Sequence, residues 1–244
     1  MNLLEHTSPQ SILYFMLYGG AATLCVVLCL YLLLSRWKVI APEITPPVRL
    51  RRWAAAFYAA GALGHAWWFL LYLYFRDDQL MYGTNYSPGY VVGEVLDCVS
   101  LLITLAGTLL AMLQDRRRPL WPWLVAEVAA VVVTAVMGIA GRDEFWGYDV
   151  LGYCQLALIA GFIIYYALAL RHYGRWLRDN YANLEHKEVW QSLTFAVGLF
   201  VVYEVYTSNG GELLREYLSQ IVTLVIIAFL LWRVETLQEL KDEA

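Results

Sequence analysis

Charged residues are scarce in this sequence. Asp, Glu, Lys and Arg make up 16% of the 244 residues, whereas a soluble domain carries about 25%. Hydrophobic residues make up 60%, and the mean hydropathy is +0.52. This composition excludes an ordinary soluble domain and predicts an all-α protein that crosses a membrane several times. The pI of about 5.6 argues against a nucleic-acid-binding surface on the chain itself.

Lysine is rarer still, and the short motifs of common enzymes are missing. The three lysines, Lys38, Lys187 and Lys241, lie outside the long apolar runs, so no span offers a lysine for a retinal Schiff base. The sequence contains no HExxH, GxSxG or P-loop motif. His65 is the single histidine in an apolar run, which excludes a bis-histidine haem within one chain. We therefore expect no cofactor and no enzymatic activity.

Seven apolar runs are each long enough to cross a bilayer as a helix. They lie at 11–34, 53–75, 90–113, 119–140, 148–170, 189–206 and 213–232. Of the 17 basic residues, 14 lie in the first, third and fifth connecting loops or after the seventh run. By the positive-inside rule these segments are cytoplasmic. The predicted fold is a seven-transmembrane helix bundle with the N-terminus outside and the C-terminus in the cytoplasm.

Two segments beyond the apolar runs have helical patterns of their own. Residues 1–232 form the predicted transmembrane domain, and 233–244 form a cytoplasmic tail. Val234 and Leu237 share one stripe in the tail, which predicts that the seventh span continues as a helix towards an output module. In the fifth loop, apolar residues recur at helical intervals from Tyr173 onwards, which predicts an amphipathic continuation of the fifth span.

Small residues form a stripe along the second span. Ala56, Ala60 and Gly64 recur every four residues. Small side chains on one face allow two helix backbones to approach closely in a membrane. The stripe therefore predicts that this face packs tightly on a neighbouring helix.

Ionisable and aromatic residues concentrate in the halves of the spans that this topology places outside. Charges at membrane depth are costly, so they should face the bundle interior or a wet cavity. We interpret the set as an outward-opening pocket for a small ligand with cationic or hydrogen-bonding groups. Its predicted lining is His65, Trp68, Glu94, Asp97, Tyr153, Tyr203, Glu204 and Arg215.

Two other interpretations of these residues stay open. His65, Arg215 and the carboxylates can satisfy one another as structural pairs, as buried charges must. Alternatively, Asp97 and the deeper Glu127 can form a buried polar path for protons. No metal site is predicted, because one histidine and scattered carboxylates make a weak ligand set.

The fifth loop and the tail carry a family resemblance. The stretches RHYGRWLRDNYANLEHKEVWQS (171–192) and LWRVETLQEL (231–240) are similar to the membrane region of AraC-type helix-turn-helix regulators of Bacteroidetes. The resemblance implies a multi-helix sensor in the bacterial inner membrane that precedes a cytoplasmic DNA-binding domain. No helix-turn-helix sequence follows Leu240 here, so the resemblance implies DNA binding by a longer parent chain.

The expected function is that of a membrane sensor that binds a small extracytoplasmic ligand and relays to an AraC-type output. The expected partners are the lipid bilayer and that ligand, with no nucleic acid contacted by this chain; a homodimer is left open. A proton-coupled or small-molecule transporter is the alternative. An intramembrane hydrolase built on Ser100 and His65 is the third hypothesis.

Overall fold

The regular structure is helical throughout the part of the chain that the computed structural model describes, which is residues 9–35, 40–74, 92–93, 95–140, 146–208 and 212–240. In these ranges there are seven helices and no strand. They are α1 (Pro9–Leu34), α2 (Val48–Tyr74), α3 (Val95–Ala111), α4 (Trp121–Ala140), α5 (Trp146–Asn180), α6 (Gln191–Ser208) and α7 (Glu212–Thr236). Each helix overlaps one predicted apolar run, so the all-helical prediction is confirmed.

Four of these helices are long and apolar enough to cross a membrane. The qualifying segments are Ile12–Leu34, Val48–Leu71, Val150–Asn180 and Tyr217–Thr236. Shorter apolar helices at Val95–Ala111, Trp121–Val133 and Trp190–Tyr203 complete the bundle. Many large apolar side chains point outwards, including those of Met16, Leu34 and Trp121, each at least two-thirds exposed. Such a surface suits lipid rather than water, and the chain is a multi-pass membrane protein.

The helices form a closed ring in chain order. Each helix packs on the next one, and α7 packs back on both α1 and α2. The most deeply buried side chains, among them Leu50, Tyr58, Leu110 and Leu230, belong to one core cluster. This core is densest at the end of the bundle where α2 begins and α7 ends.

The contact between α2 and α3 is very close. A Cβ atom added at Gly107 of α3 would lie 2.5 Å from the Trp53 ring of α2. A Cβ atom at Gly64 of α2 would lie 2.9 Å from the Asp97 carboxylate of α3. The small-residue stripe of the second span therefore faces a packed neighbour at Gly64, as predicted.

The segments that follow α1, α3, α5 and α7 meet at the dense end of the bundle. We call residues 40–47, 112–120, 181–190 and 237–240 together the terminal hub. The backbone N–H of Gln238 donates to the carbonyl of His186 at 2.9 Å, and that of Glu239 donates to the carbonyl of Thr45 at 2.7 Å. Gln114 bonds both to the Leu240 N–H, at 2.9 Å, and to the Gln238 carbonyl.

The helical tail predicted over 233–244 is present at its start, and its last residues, 241–244, lie outside the described part of the chain. Helix α7 ends at Thr236, and residues 237–240 are not helical. The physical reason is that three successive N–H groups, from Gln238 to Leu240, donate to loop acceptors instead of to carbonyls one turn back. The predicted continuation of the fifth span is confirmed, because α5 runs without a break to Asn180.

Two charged side chains anchor the end of α7 in the hub. Arg233 donates to the carbonyl of Glu188 at 2.8 Å. Glu235 accepts hydrogen bonds from the Tyr31 hydroxyl at 2.8 Å and from the Ile40 N–H at 3.2 Å. Arg233 and Glu235 are each only 4% exposed, so the end of α7 is fixed to both the first and the fifth loops.

Candidate functional site

A cavity of about 280 Å³ lies between α3, α4, α5, α6 and α7. Its walls are mostly aliphatic, with Trp123, Phe162 and Tyr203 as the aromatic members. The polar side chains on its wall are Glu127 of α4, Tyr203 of α6, and Ser219 and Thr223 of α7. The volume is near the lower end of the range for small-molecule sites. The arrangement suits a small, largely apolar ligand.

Glu127 is the charged group of the cavity wall. It is 6% exposed and accepts a hydrogen bond of 2.8 Å from Nε2 of Gln155, which is itself 2% exposed. Within the described residues, Glu127 has no basic partner and Oε1 of Gln155 has no donor. A buried acceptor without a donor costs about 1–3 kcal/mol. Glu127 therefore brings its carboxyl group to the cavity wall, and Gln155, which does not line the cavity, keeps one acceptor without a donor beside it.

Three of the predicted site residues meet elsewhere, between α1, α2, α3 and α7. Trp68 donates through Nε1 to Asp97 at 2.6 Å. His65 contacts the Gly61 carbonyl through Nδ1 at 2.8 Å and Oε1 of Gln220 through Nε2 at 3.3 Å. These residues form a hydrogen-bonded polar cluster and are absent from the cavity lining. The hydrogen bonds of the cluster join helices to one another.

The start of α3 explains how Asp97 reaches α2. Residues Val95–Leu101 form a π-helical turn before the regular α-helix begins at Leu102. Turns of this type are found often at functional sites, because they reorient side chains within a helix. Here the turn directs Asp97 towards Gly64 and Trp68, whereas Leu101 and the following leucines line the cavity.

Tyr18 joins the polar cluster from α1. Its hydroxyl donates to the backbone carbonyl of His65, and its ring lies 4.7 Å from the His65 ring. Because His65 also contacts Gln220 of α7, the cluster connects the first, second and seventh helices. Ser100, considered above with His65 for hydrolysis, donates instead to the carbonyl of Val95.

The other predicted residues are dispersed. Tyr203 lines the cavity with Glu127. Tyr153 is 73% exposed and points away from the bundle. Glu94 lies outside the described residues; Glu204 and Arg215 belong to α6 and α7, but their side chains are outside the described part.

The predicted lining omits three residues of the cavity region. Gln155 is one polar residue near the start of an apolar run. Ser219 and Thr223 lie four residues apart, on one face of α7. That spacing was the available signal, but it became meaningful only once the cavity showed which face of α7 points inwards.

Comparisons with protein-family models, with curated proteins and with solved structures give no match for this chain. Within the described ranges, no group of three or more His, Cys, Asp and Glu side chains could hold a metal ion. The cavity and the terminal hub are therefore interpreted from their own geometry.

Proposed function

We propose that this protein is a seven-span sensor of the bacterial inner membrane that binds a small ligand in the cavity. The observation that carries the proposal is the position of α7. One part of α7, through Ser219, Thr223 and Ile226, lines the cavity. Its other end, from Arg233 onwards, is bonded to the loops of the terminal hub. One helix thus connects a binding space to a cluster of loops at the far end of the bundle.

The distribution of basic residues supports the proposed orientation. The terminal hub itself holds four of the 17 basic residues, and ten more lie in the chain segments that adjoin it. By the positive-inside rule, the hub is the cytoplasmic end of a bundle whose N-terminus is outside. All seven helices would then cross the membrane, including the three shorter ones.

The ligand class follows from the cavity wall. Aliphatic walls favour an apolar body, whereas Glu127, which is hydrogen-bonded to Gln155, offers carboxyl oxygens on the wall as acceptors for an ammonium, amine or hydroxyl group. A carboxylate ligand would lie beside the Glu127 carboxyl group with no basic partner among the described residues, which disfavours its binding. We therefore propose a small apolar amine or alcohol as the ligand.

A signal can pass from the cavity to the hub only if the ligand binds two arrangements of α7 with different affinities. A ligand shifts such an equilibrium only by the difference between its affinities for the two states. Ligand contact with Ser219 and Thr223 would favour one position of α7, and that position would change the hydrogen bonds of 237–240 in the hub. Because the sequence resembles AraC-type regulators, the proposed output is a DNA-binding domain of that class, which would respond to this change.

The experiment measures the thermal unfolding of the full chain in neutral detergent micelles with three probes of similar size. The probes are 2-phenylethylamine, 2-phenylethanol and 3-phenylpropanoate. We expect the amine, at about one hundred times its Kd, to raise the unfolding temperature by roughly 5–10 °C. The alcohol should raise it less, and the carboxylate should have no effect. Equal shifts for all three probes, or none, would contradict the ligand class.

Three variants make the experiment specific. Glu127→Gln should lose the preference for the amine, and Ala196→Leu, which fills the cavity wall, should lose all binding. Glu185→Gln removes an exposed carboxylate in the hub, 74% exposed, and should bind like the parent protein. Hydrogen exchange then tests the relay, because the amine should alter exchange at the amides of 238–240. Binding without a change at these amides would refute the relay and leave the binding site intact.

A second function from another class is favoured by one observation, the burial of Glu127 beside an unpartnered amide oxygen. Such a carboxylate could carry a proton during coupled transport. Uptake of labelled 2-phenylethylamine into proteoliposomes that follows an imposed pH gradient, and that is lost in Glu127→Gln, would favour this transporter. A flat uptake trace with intact binding would favour the sensor.

A further inference from the structure

Most arginines whose side chains reach the terminal hub are already bonded to the protein. Arg51 donates to the carbonyls of Leu32 and Ser35 at the end of α1. Arg118 forms two hydrogen bonds with the Asp115 carboxylate, at 2.7 and 2.9 Å. These contacts hold both side chains in place and, for Arg118, occupy Nη1 and Nη2.

Arg49 and Arg117 are different. Arg49 lies in the first turn of α2, half-buried and within electrostatic range of both Arg117 and Arg118. Among the described residues, no carboxylate pairs with Arg49 or Arg117. The acidic residue of the loop, Asp115, already accepts two hydrogen bonds from Arg118. Asp115 also lies 4.0 Å from Nε of Arg116, so it leaves Arg49 and Arg117 without a carboxylate among the described residues.

Arg118 also carries an unused donor. Its side chain is only 2% exposed, and its Nε has no hydrogen-bond partner within the described residues. A buried charged donor left unpaired is costly. Together with the unpaired guanidinium groups of Arg49 and Arg117, it points to an anion that supplies several acceptor oxygens.

The surroundings favour an anion attached to a lipid. The first turn of α2 contains no acidic residue, so its free N–H groups and helix dipole add positive potential. Apolar side chains at this end are open to the bilayer: Val48 is 52% exposed and Trp121 is 66% exposed. Further along α4, Leu124, Val125 and Val128 continue this exposed apolar face.

We propose that Arg49, Arg117 and Arg118 bind the phosphate of an anionic phospholipid, whose acyl chains lie along the exposed face of α4. Basic pockets at the cytoplasmic ends of membrane helices bind such headgroups by charge and by multiple hydrogen bonds. The site is separate from the cavity and does not depend on the sensor function.

The experiment uses the full chain in neutral detergent micelles. Native mass spectrometry counts bound phosphatidylglycerol, phosphatidylcholine or inorganic phosphate, and thermal unfolding is measured in the same mixtures. We expect one retained phosphatidylglycerol. Arg49→Gln and Arg117→Gln should each weaken its binding about fivefold. Arg175→Gln removes an exposed arginine of α5 near the same end of the bundle and should leave binding unchanged.

Comparing the unfolding temperatures of the parent and Arg49→Gln, without and with lipid, separates a lipid-binding role of Arg49 from a structural one. Without lipid, Arg49→Gln should unfold at the same temperature as the parent or higher, because it removes repulsion from Arg117 and Arg118. With phosphatidylglycerol, the parent should become the more stable protein. Equal retention of phosphatidylglycerol and phosphatidylcholine, or undiminished retention by the Arg49→Gln/Arg117→Gln double variant, would overturn the site. Inorganic phosphate binding as tightly as phosphatidylglycerol would overturn the lipid assignment.

Discussion

The two faces of α3 are packed in opposite ways. On one face, Gly107 allows the Trp53 ring of α2 to lie so close that even a methyl group would collide with it. On the other face, Leu105, Ala106 and Leu109 border a cavity of about 280 Å³. The two faces of α3 therefore differ in how densely they are packed, even between the neighbouring residues 106 and 107.

The physical cause of this difference lies in the membrane. Lipid tails are as apolar as leucine, so association of membrane helices depends on van der Waals contact rather than on burial from water. The α2–α3 face obtains that contact through small residues. The α4–α7 side relies on larger groups, such as the stacked rings of Phe195 and Phe229 at 3.8 Å, and leaves space between them. We infer that the first side provides stability and the second provides room for a ligand.

The largest expected effect is that of Gly107→Ala. The new methyl group would lie 2.5 Å from the Trp53 ring, so the ring or the helix must move. We expect a loss of about 3 kcal/mol in the free energy of unfolding, measured by denaturation in mixed micelles.

Gly198→Ala is the matched control for this substitution. Gly198 has nothing within 4 Å of an added Cβ atom, so this variant should be stabilised by about 0.5–1 kcal/mol, as expected for alanine in a helix. Similar losses in both variants would show that the two sides do not differ in packing.

A somewhat smaller effect is expected for Glu235→Ala in the hub. The substitution leaves the Tyr31 hydroxyl and the Ile40 N–H without the acceptor they share, inside a region where Glu235 is 4% exposed. We expect a loss of about 2 kcal/mol. Amide exchange at Ile40 should also accelerate. Glu185→Ala, which removes an exposed carboxylate of the same hub, should change the unfolding free energy by less than about 0.5 kcal/mol. A comparable loss there would contradict a specific role for Glu235.

The smallest effect, and of opposite sign, is expected for Ala106→Leu. Ala106 neighbours Gly107 but lines the cavity, so added carbons find space. We expect a gain of roughly 0–1 kcal/mol, with loss of 2-phenylethylamine binding in the same preparation. A destabilisation as large as that of Gly107→Ala would mean that both faces of α3 are equally crowded.

The sequence was sufficient to predict the helices, because length and hydropathy determine which runs form them. The Ala56–Ala60–Gly64 stripe even indicated a close contact for α2. The candidate site was harder to predict. His65, Trp68 and Asp97 are predicted to line a ligand pocket because all are polar or aromatic at similar depth, and in the structure their hydrogen bonds join helices to one another. Polarity indicates which residues need partners, but not whether those partners are ligands or side chains.

The tail illustrates a second limit of the sequence. Val234 and Leu237 have helical spacing, which predicted a helix that leaves the bundle, whereas both side chains are at most 1% exposed. The same pattern could not show that the N–H groups beyond Leu237 have better acceptors in three separate loops. Those acceptors are distant in sequence, so only the assembled bundle brings them into reach.

The closure of the ring by α7 has a consequence for biosynthesis. Tyr31 and Glu235 are separated by 204 positions, and chains grow at about 5–20 residues per second. Glu235 is therefore synthesised roughly 10–40 s after Tyr31. Throughout that interval α1 and α2 can pair within the membrane, but the hydrogen bonds from Tyr31 and Ile40 to Glu235 cannot form. The first loop is thus held in its final position only after the seventh helix has been inserted. A substitution of Glu235 would therefore stop folding at a late step, after most of the helices had been made.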